Sequence, residues 1–291
     1  MTVNGYRVKR SLGELRETSW RLSRQILEMT TTAGSGHPSS ALSAIDVITA
    51  LYFGGVMRYD NSRPDWRGRD RFILSKGHGV PALYAVMAEA GYFEPERLES
   101  LRQINSPLEG HPNMRALAGV EASTGSLGQG LSIGLGHALA ARLDGLDYRV
   151  YVMIGDGEAD EGQIWEATMA AAKYKVQNLT AILDYNRFQQ TGSVADVMPS
   201  LPPFADKWRV FGWHVLEIDG HDLEAILEAF DEARQVRDRP QIIVAHTKKG
   251  KGLRVFESDD VNRKHGEPLD EEELQATLSE LDRLYKQTAG V

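Results

Sequence analysis

No cysteine occurs among the 291 residues. Disulfides, thiolate metal sites and a cysteine nucleophile are therefore excluded before any motif is read. There is also no apolar run of the ~18 residues a membrane-spanning helix needs, and no charged-then-apolar leader at the amino terminus. The expectation is a soluble, cytoplasmic protein. Positive charge is in deficit as well: 33 Lys and Arg stand against 41 Asp and Glu, a formal net charge of -8. That balance argues against a general nucleic-acid or acidic-membrane surface, and leaves only local basic patches for small anionic substrates. Internal repeats, low-complexity tracts and evident linkers are missing too.

What is present is an ordinary globular composition, 42% hydrophobic and 25% charged, in a chain long enough for one large α/β domain or two small ones. Apolar residues at Leu12, Leu15, Leu22, Ile26 and Met29 predict an amphipathic helix over 11–32. Further helices are predicted over 43–53, 80–90, 94–103, 131–143, 162–174, 201–211, 223–236 and 270–285. Short apolar runs predict strands at 71–74, 150–154, 179–183, 213–218 and 241–245. The segment 60–70 reads as a polar connection, 106–130 as a long glycine-bearing loop of the functional kind, and 248–265 as basic at its start and irregular. Alternating strands and helices predict an α/β fold with an open, mainly parallel sheet covered by helices on both faces. Strand order does not follow from this pattern.

The organising stretch is 149–192, RVYVMIGDGEADEGQIWEATMAAAKYKVQNLTAILDYNRFQQTG: strand, tight turn, helix, strand. The first apolar run breaks at Gly155-Asp156-Gly157, and the second delivers Asp184-Tyr185-Asn186. In a parallel βαβ unit both strands point their carboxyl ends at one edge, so Asp156 and Asn186 should meet. A carboxylate and an amide oxygen suit Mg²⁺ or Ca²⁺, and two protein ligands leave positions for phosphate oxygens and water. The pair therefore predicts a metal clamping a diphosphate, with Gly157 clearing space and turning its N–H toward the anion. Alone, Gly-Asp-Gly is equally a βα turn with a solvated aspartate. The asparagine ending the next strand favours the clamp.

On these residues the chain resembles the thiamine diphosphate enzymes, whose signature is Gly-Asp-Gly, roughly 25 to 30 residues, then Asn, on this frame. Within them it resembles the transketolases, because EGQIWEATMAAAKYKVQNL with Asn186 and Gly192 is similar over its whole length. The resemblance implies a thiamine diphosphate-binding fold with that cofactor. It also implies Mg²⁺, with Ca²⁺ or Mn²⁺ as alternatives, held by Asp156, the Asn186 side chain and the backbone oxygen of Phe188. Tyr185 and Arg187 flank the asparagine, and Phe188 replaces the usual aliphatic residue, an exchange that a carbonyl ligand tolerates.

Of eight histidines, four sit in glycine-adjacent loops: His37 in GSGHP, His78 in KGHG, His111 in EGHPN and His265 in RKHGEP. Singly, each is a loop or capping residue. Together at one sheet edge they can converge, and neutral imidazoles bond sugar hydroxyls and carbonyls or shuttle protons. Each loop is similar to a transketolase motif in the family's order. The resemblance implies that His37 and His111 contact the ketose near its reacting carbonyl. It also implies that His78 and His265 approach the cofactor diphosphate, and that His265 aids proton transfer. TGSLGQG at 124–130 is similar to the family's TGPLGQG, which places Gly125, Ser126 and Leu127, with Ser126 for the usual proline, beside Gly157 and Asn186 in the cofactor set. His137, His214, His221 and His246 match no site motif and are expected to be structural or at the surface. Glu161 and Glu166 suit a helix N-terminus, and the resemblance puts them near a subunit interface. Lys248, Lys249 and Lys251 form a basic loop expected to be solvated, the alternative being contact with the diphosphate or a substrate phosphate.

The resemblance covers nearly the whole chain, but only the first of three domains in a full-length transketolase. The family's cofactor-activating glutamate and the aromatic pocket for the aminopyrimidine come from the second. The chain is therefore expected to be one diphosphate- and metal-binding domain, 1–291, active only with a separate chain carrying the pyrimidine-binding and C-terminal domains, as an α₂β₂ assembly. The implied reaction moves a glycolaldehyde unit from a ketose, expected to be phosphorylated, to an aldose. Two alternatives stay open. One is another thiamine enzyme component, of deoxyxylulose-phosphate synthase, acetoin or 2-oxoacid dehydrogenase type; the four histidines argue against it, since sugar hydroxyls need them. The other is a non-catalytic regulatory subunit, for which Asp156, Asn186 and the histidines have no chemical use.

Overall fold

The computed structural model describes residues 8–257 and 264–289. Its strands are β1 (Arg71–Leu74), β2 (Val150–Gly155), β3 (Leu179–Tyr185), β4 (His214–Asp219) and β5 (Gln241–His246). They form one sheet in the order β1-β2-β3-β5-β4, with every neighbouring pair parallel. All carboxyl ends therefore share one edge.

Side-chain alternation divides the strands between two cores. Tyr151, Met153, Ile182 and Ile243 pack with α1 (Leu12–Ala33), α2 (Pro38–Phe53), α3 (Val80–Glu89), α8 (Leu223–Gln235) and α10 (Glu271–Ala289). Val150, Val152, Ile154, Leu179, Ala181, Leu183, Ile242 and Val244 pack with α4 (Gln129–Leu143), α5 (Gly162–Lys173) and α7 (Phe204–Val210). The expected sheet with two covered faces is what forms.

Local chemistry explains where elements begin and end. Ser11 and Glu14 close a capping box on α1, which stops at Gly34 in the left-handed conformation (φ 57°). A Cβ on Gly134 would collide with Val152, so the glycine lets α4 lie close on β2.

Helix α2 begins five residues before the predicted 43–53, with Pro38 in its first turn and all its residues buried. Ser39, read as loop, is a buried partner that donates to the carbonyl of Lys264 at 3.1 Å, and Ser43, the first residue of the predicted helix, donates to Asp184 at 2.6 Å. The helix predicted over 94–103 is only a 3₁₀ segment, Pro95–Ser100, because the chain turns back at Arg102 (φ 59°), whose N–H bonds Leu108. The helix predicted over 201–211 starts at Phe204: a residue that precedes a proline is disfavoured in the helical region, which bars Leu201 and Pro202, and Pro203 is the extended N-cap. Two single turns were not anticipated, α6 (Val194–Val197) and α9 (Arg254–Glu257). Of the irregular stretch 248–265, residues 258–263 lie outside the described residues. No helix among the described residues is long and apolar enough to cross a membrane.

Candidate active site

The common edge gathers Ser75-Lys76-Gly77-His78 after β1, Asp156-Gly157 after β2, Asn186-Arg187-Phe188 after β3 and Thr247-Lys248-Lys249 after β5. Asp156 is buried; Oδ1 accepts the N–H of Gly157 at 2.8 Å and Oδ2 that of Arg187 at 2.5 Å. The ends of β2 and β3 thus meet as their pairing required. Arg187 is left-handed (φ 72°), and Asn186 Oδ1 caps the turn by accepting from Phe188 N at 3.0 Å. Asn186 Nδ2 donates to Ser43 Oγ at 3.3 Å, and Phe188 is exposed. Burial, then the Asp184 charge, push the Asp156 carboxyl up to about 7. A group in that condition gains from a nearby cation. No cluster of three His, Asp or Glu side chains able to hold a metal occurs among the described residues. The predicted set of one carboxylate, one amide oxygen and one carbonyl is a different kind of site.

Three of the four loop histidines converge. Ring centroids are 5.3 Å apart for His37 and His78, 5.2 Å for His37 and His265, and 5.3 Å for His78 and His265. His111 lies at the rim, exposed, against Gly125: a Cβ there would come within 3.0 Å of its ring. Gly125 also has φ of 144°, so only glycine fits both demands. A Cβ on Gly77 would reach 2.8 Å from Gly125 N, so the His78 loop and the Thr124–Gly128 turn are in direct contact. Ser126 is exposed and Leu127 half-buried. Burial, then neighbouring positive groups, lower His37 to about 4 and His265 to about 3, and hold His78 well below the usual value. All three rings are neutral at physiological pH. Nδ1 of His37 is buried without a hydrogen-bond partner.

Three functional groups, Lys76, Asp184 and Glu158, escaped the sequence reading, and a fourth, Lys249, was given there only as the alternative to a solvated loop. Lys76, 1% exposed, pairs with the fully buried Asp184 and donates to the carbonyl of Ser40 at 3.1 Å. Burial alone would raise Asp184, but Lys76, Ser43 and Thr247 outweigh it and hold it below the carboxylate range. Lys249 is 8% exposed, with Nζ 2.7 Å from His265 Nδ1; burial, then Lys76, lower it to about 7. Glu158 is buried and accepts from Ser75 Oγ, Gly128 N (2.8 Å) and Gly155 N (3.0 Å), which fastens three site loops together. The basic loop is therefore not solvated as expected at Lys249, nor at Lys251, which pairs with Asp46 at 2.7 Å. Position offered some signal: Lys76 stands two residues before His78, and Asp184 two before Asn186, on the same side of β3.

The remaining histidines fall in structural or surface settings, as expected. His214 pairs with Glu232 at 2.9 Å, and His246 with Glu217 at 3.3 Å. Glu161, the N-cap residue of α5, and Glu166 on that helix are both exposed. A cavity of about 1340 Å³ borders Asn186, Phe188, Thr247 and Lys249 and runs over the ends of β4 and β5 toward Trp20 and Tyr285. The histidine cluster flanks this cavity and does not line it.

A family model described as transketolase, thiamine diphosphate binding domain, matches residues 22–284. Among curated proteins, the 6-deoxy-6-sulfo-D-fructose transketolase subunit SqwG of Clostridium sp. (strain MSTE9) is 44% identical, over 86% of this chain and 90% of its own. One of the subunits of the apulose-4-phosphate transketolase of Phocaeicola vulgatus is 41% identical, over 90% and 92%. Human transketolase is 40% identical over 94% of this chain, which spans 43% of that protein. Among solved structures, transketolase from Campylobacter jejuni superposes with a TM-score of 0.84 at 29% identity, over 97% of this chain and 43% of that one.

Proposed function

Because the chain belongs to the transketolase family, through its thiamine diphosphate-binding domain, we propose that it is the diphosphate-binding subunit of a two-chain transketolase. The observation that carries this reading is the buried edge itself: Lys249 and three packed neutral imidazoles stand by the Lys76–Asp184 pair and beside a raised aspartate. Such an arrangement is unfavourable empty and suits an anion bridged to a metal. The residues therefore fit the group.

Thiamine diphosphate, when bound, supplies the chemistry that breaks and re-forms the carbon–carbon bond beside a ketose carbonyl. Asp156, the Asn186 side chain and the Phe188 carbonyl hold Mg²⁺. Lys249, His78 and His265 meet the diphosphate, while Gly125, Ser126 and Leu127 form the turn against the cofactor; the N–H expected from Gly157 is instead given to Asp156 Oδ1. The Lys76–Asp184 pair underlies the site. With Lys249 charged against an anion, its ammonium donates to His265 Nδ1, which fixes the proton of that ring on Nε2. A proton leaving His265 Nε2 is replaced at Nδ1 from the Lys249 ammonium, so the ring passes a proton on and stays neutral. His37 and His111 bind the substrate carbonyl and hydroxyls, His37 with a buried nitrogen to spare.

The rest of the reaction chamber comes from a second chain with the pyrimidine-binding and C-terminal domains, in an α₂β₂ enzyme of the cytoplasm. The relatives matched end to end carry the word subunit in their names, and full-length transketolases are matched over 43%. Their names also point to a ketose with an anionic far end, phosphate or sulfonate. Titrating ketol transfer against the partner chain tests this: activity should rise from background to a plateau at a fixed ratio. Full activity from this chain alone would refute the two-chain reading.

A further inference from the structure

The loop after β5 contains three successive left-handed residues, Gly250, Lys251 and Gly252, with φ of 69°, 59° and 76°. Glycine adopts that conformation freely, whereas a lysine must be held in it. Lys251 Nζ donates to Asp46 Oδ1 at 2.7 Å and to Ser19 Oγ at 2.8 Å. Asp46, buried on α2, takes His221 Nδ1 on its other oxygen at 2.8 Å. The same ring's Nε2 accepts the backbone N–H of Lys248 at 2.9 Å, so Nε2 is unprotonated and Nδ1 carries the hydrogen. One buried carboxylate therefore grips the loop at two points, at Lys251 directly and at Lys248 through the imidazole. Between these points lies Lys249, whose Nζ is placed 2.7 Å from His265 Nδ1.

Resting on the reading that Lys249 meets the diphosphate, we propose that Asp46, His221 and Lys251 are positioning residues that hold the 248–252 loop so that Lys249 faces the anion. They act through the loop backbone. Ser19, Asp46 and His221 are not a nucleophilic relay, because the serine hydroxyl bonds the carboxylate and not the ring. The burial of Asp46 fits the role: burial would raise its carboxyl, yet Lys251 and His221 hold it far below the usual range, so the anchor stays ionised.

The test is calorimetric binding of inorganic pyrophosphate with Mg²⁺ to the full chain, with thermal melting to confirm folding. Lys249→Met should weaken binding by about 10- to 100-fold, the loss of one charged contact. His221→Ala should weaken it by about tenfold, and the double variant should bind no worse than Lys249→Met alone, because both remove the same contact. His221→Gln puts an amide oxygen where Nε2 accepts from Lys248, and should recover affinity. His221→Asn keeps a donor for Asp46 but cannot reach Lys248, and should stay weak. A general structural defect would show neither the non-additivity nor the Gln/Asn split. If His221→Ala fails to fold, the Gln and Asn variants carry the same comparison. Unchanged affinity in folded His221→Asn, or losses that add in full, would overturn the positioning role. Equal binding by wild type and Lys249→Met would instead overturn the assignment of Lys249 to the diphosphate, and the positioning role with it.

Discussion

Binding of a diphosphate at this edge should draw a proton onto Lys249. In the free chain its ammonium is buried next to Lys76, and these two effects lower it from 10.5 to about 7. An anion against Nζ offsets both and restores the charged form. The sign follows from the direction of the shift: a lowered lysine is partly neutral at and above pH 7 when free, and protonated when the anion is bound. Protons are therefore taken up, and affinity falls as pH rises past 7. With a free value of about 7, uptake by this group is about 0.1 proton at pH 6, about 0.5 at pH 7 and about 0.9 at pH 8. Above pH 7 the contribution to affinity drops about tenfold per pH unit. Calorimetry of Mg²⁺-pyrophosphate binding in buffers of different ionisation enthalpy reads the uptake directly. Wild type minus Lys249→Met cancels ionisation of the ligand itself, and the difference at pH 8 should be close to one proton. Equal uptake in the two proteins would show that Lys249 is not the group responding to the anion.

Two further outcomes bear on the ground beneath the site. Lys76→Met leaves Asp184 buried without its cation and should destabilise the chain by about 3–5 kcal/mol, lowering the melting midpoint by roughly 5–8 °C. The deficit should narrow as pH falls toward the ordinary carboxylate range, where Asp184 can take a proton instead, and Asp184→Leu in the same chain should recover most of it; an unchanged midpoint in scanning calorimetry would dismiss the pair as a structural support. Asp156→Ala should abolish the rise in melting temperature produced by Mg²⁺ with thiamine diphosphate, about 2.7 kcal/mol of stabilisation at a hundredfold excess over Kd, and a retained rise would remove Asp156 from the metal.

The fold was legible wherever burial leaves a periodic trace. Strand cores such as 150–154 and 179–183 are continuous apolar runs because parallel strands are covered on both faces, and their positions were found within two residues. Sequence reading failed where polar residues are buried for a tertiary reason. The first turn of α2 looks like loop because Ser39 and Ser40 are polar, yet Ser39 is satisfied by a carbonyl 225 residues away. Strand order failed for a different cause. The crossover from β3 past β5 to β4 is set by how α7 and α8 dock, and nothing within one strand encodes its neighbour.

The site was legible to the extent that topology alone determines it. Loops after parallel strands share an edge, so the four loop histidines were expected together; His37, His78 and His265 pack within 5.3 Å, although only His78 directly follows a strand, His37 coming after α1 and His265 after α9. Charge burial is not a local property, and that is why Lys76 was missed and Lys249 and Lys251 were expected to be solvated. TKKGKG at 247–252 reads as a solvated basic loop, yet its middle lysine is 8% exposed and its last is paired to a helix from the other end of the chain. The same reason explains how a chain of net charge -8 can present a cationic pocket. Net charge sums over a surface whose members are screened from one another beyond ~8 Å at physiological salt, whereas buried groups are screened far less. Lys76 is balanced there by Asp184, which leaves Lys249 in low dielectric as the positive group at the point where an anion must bind, against an acidic excess that acts only through screened solvent. The acidic surface acts on the approach of that anion and leaves its bound state to the pocket. Raising salt should accordingly speed association, by weakening the repulsion, more than it loosens the complex.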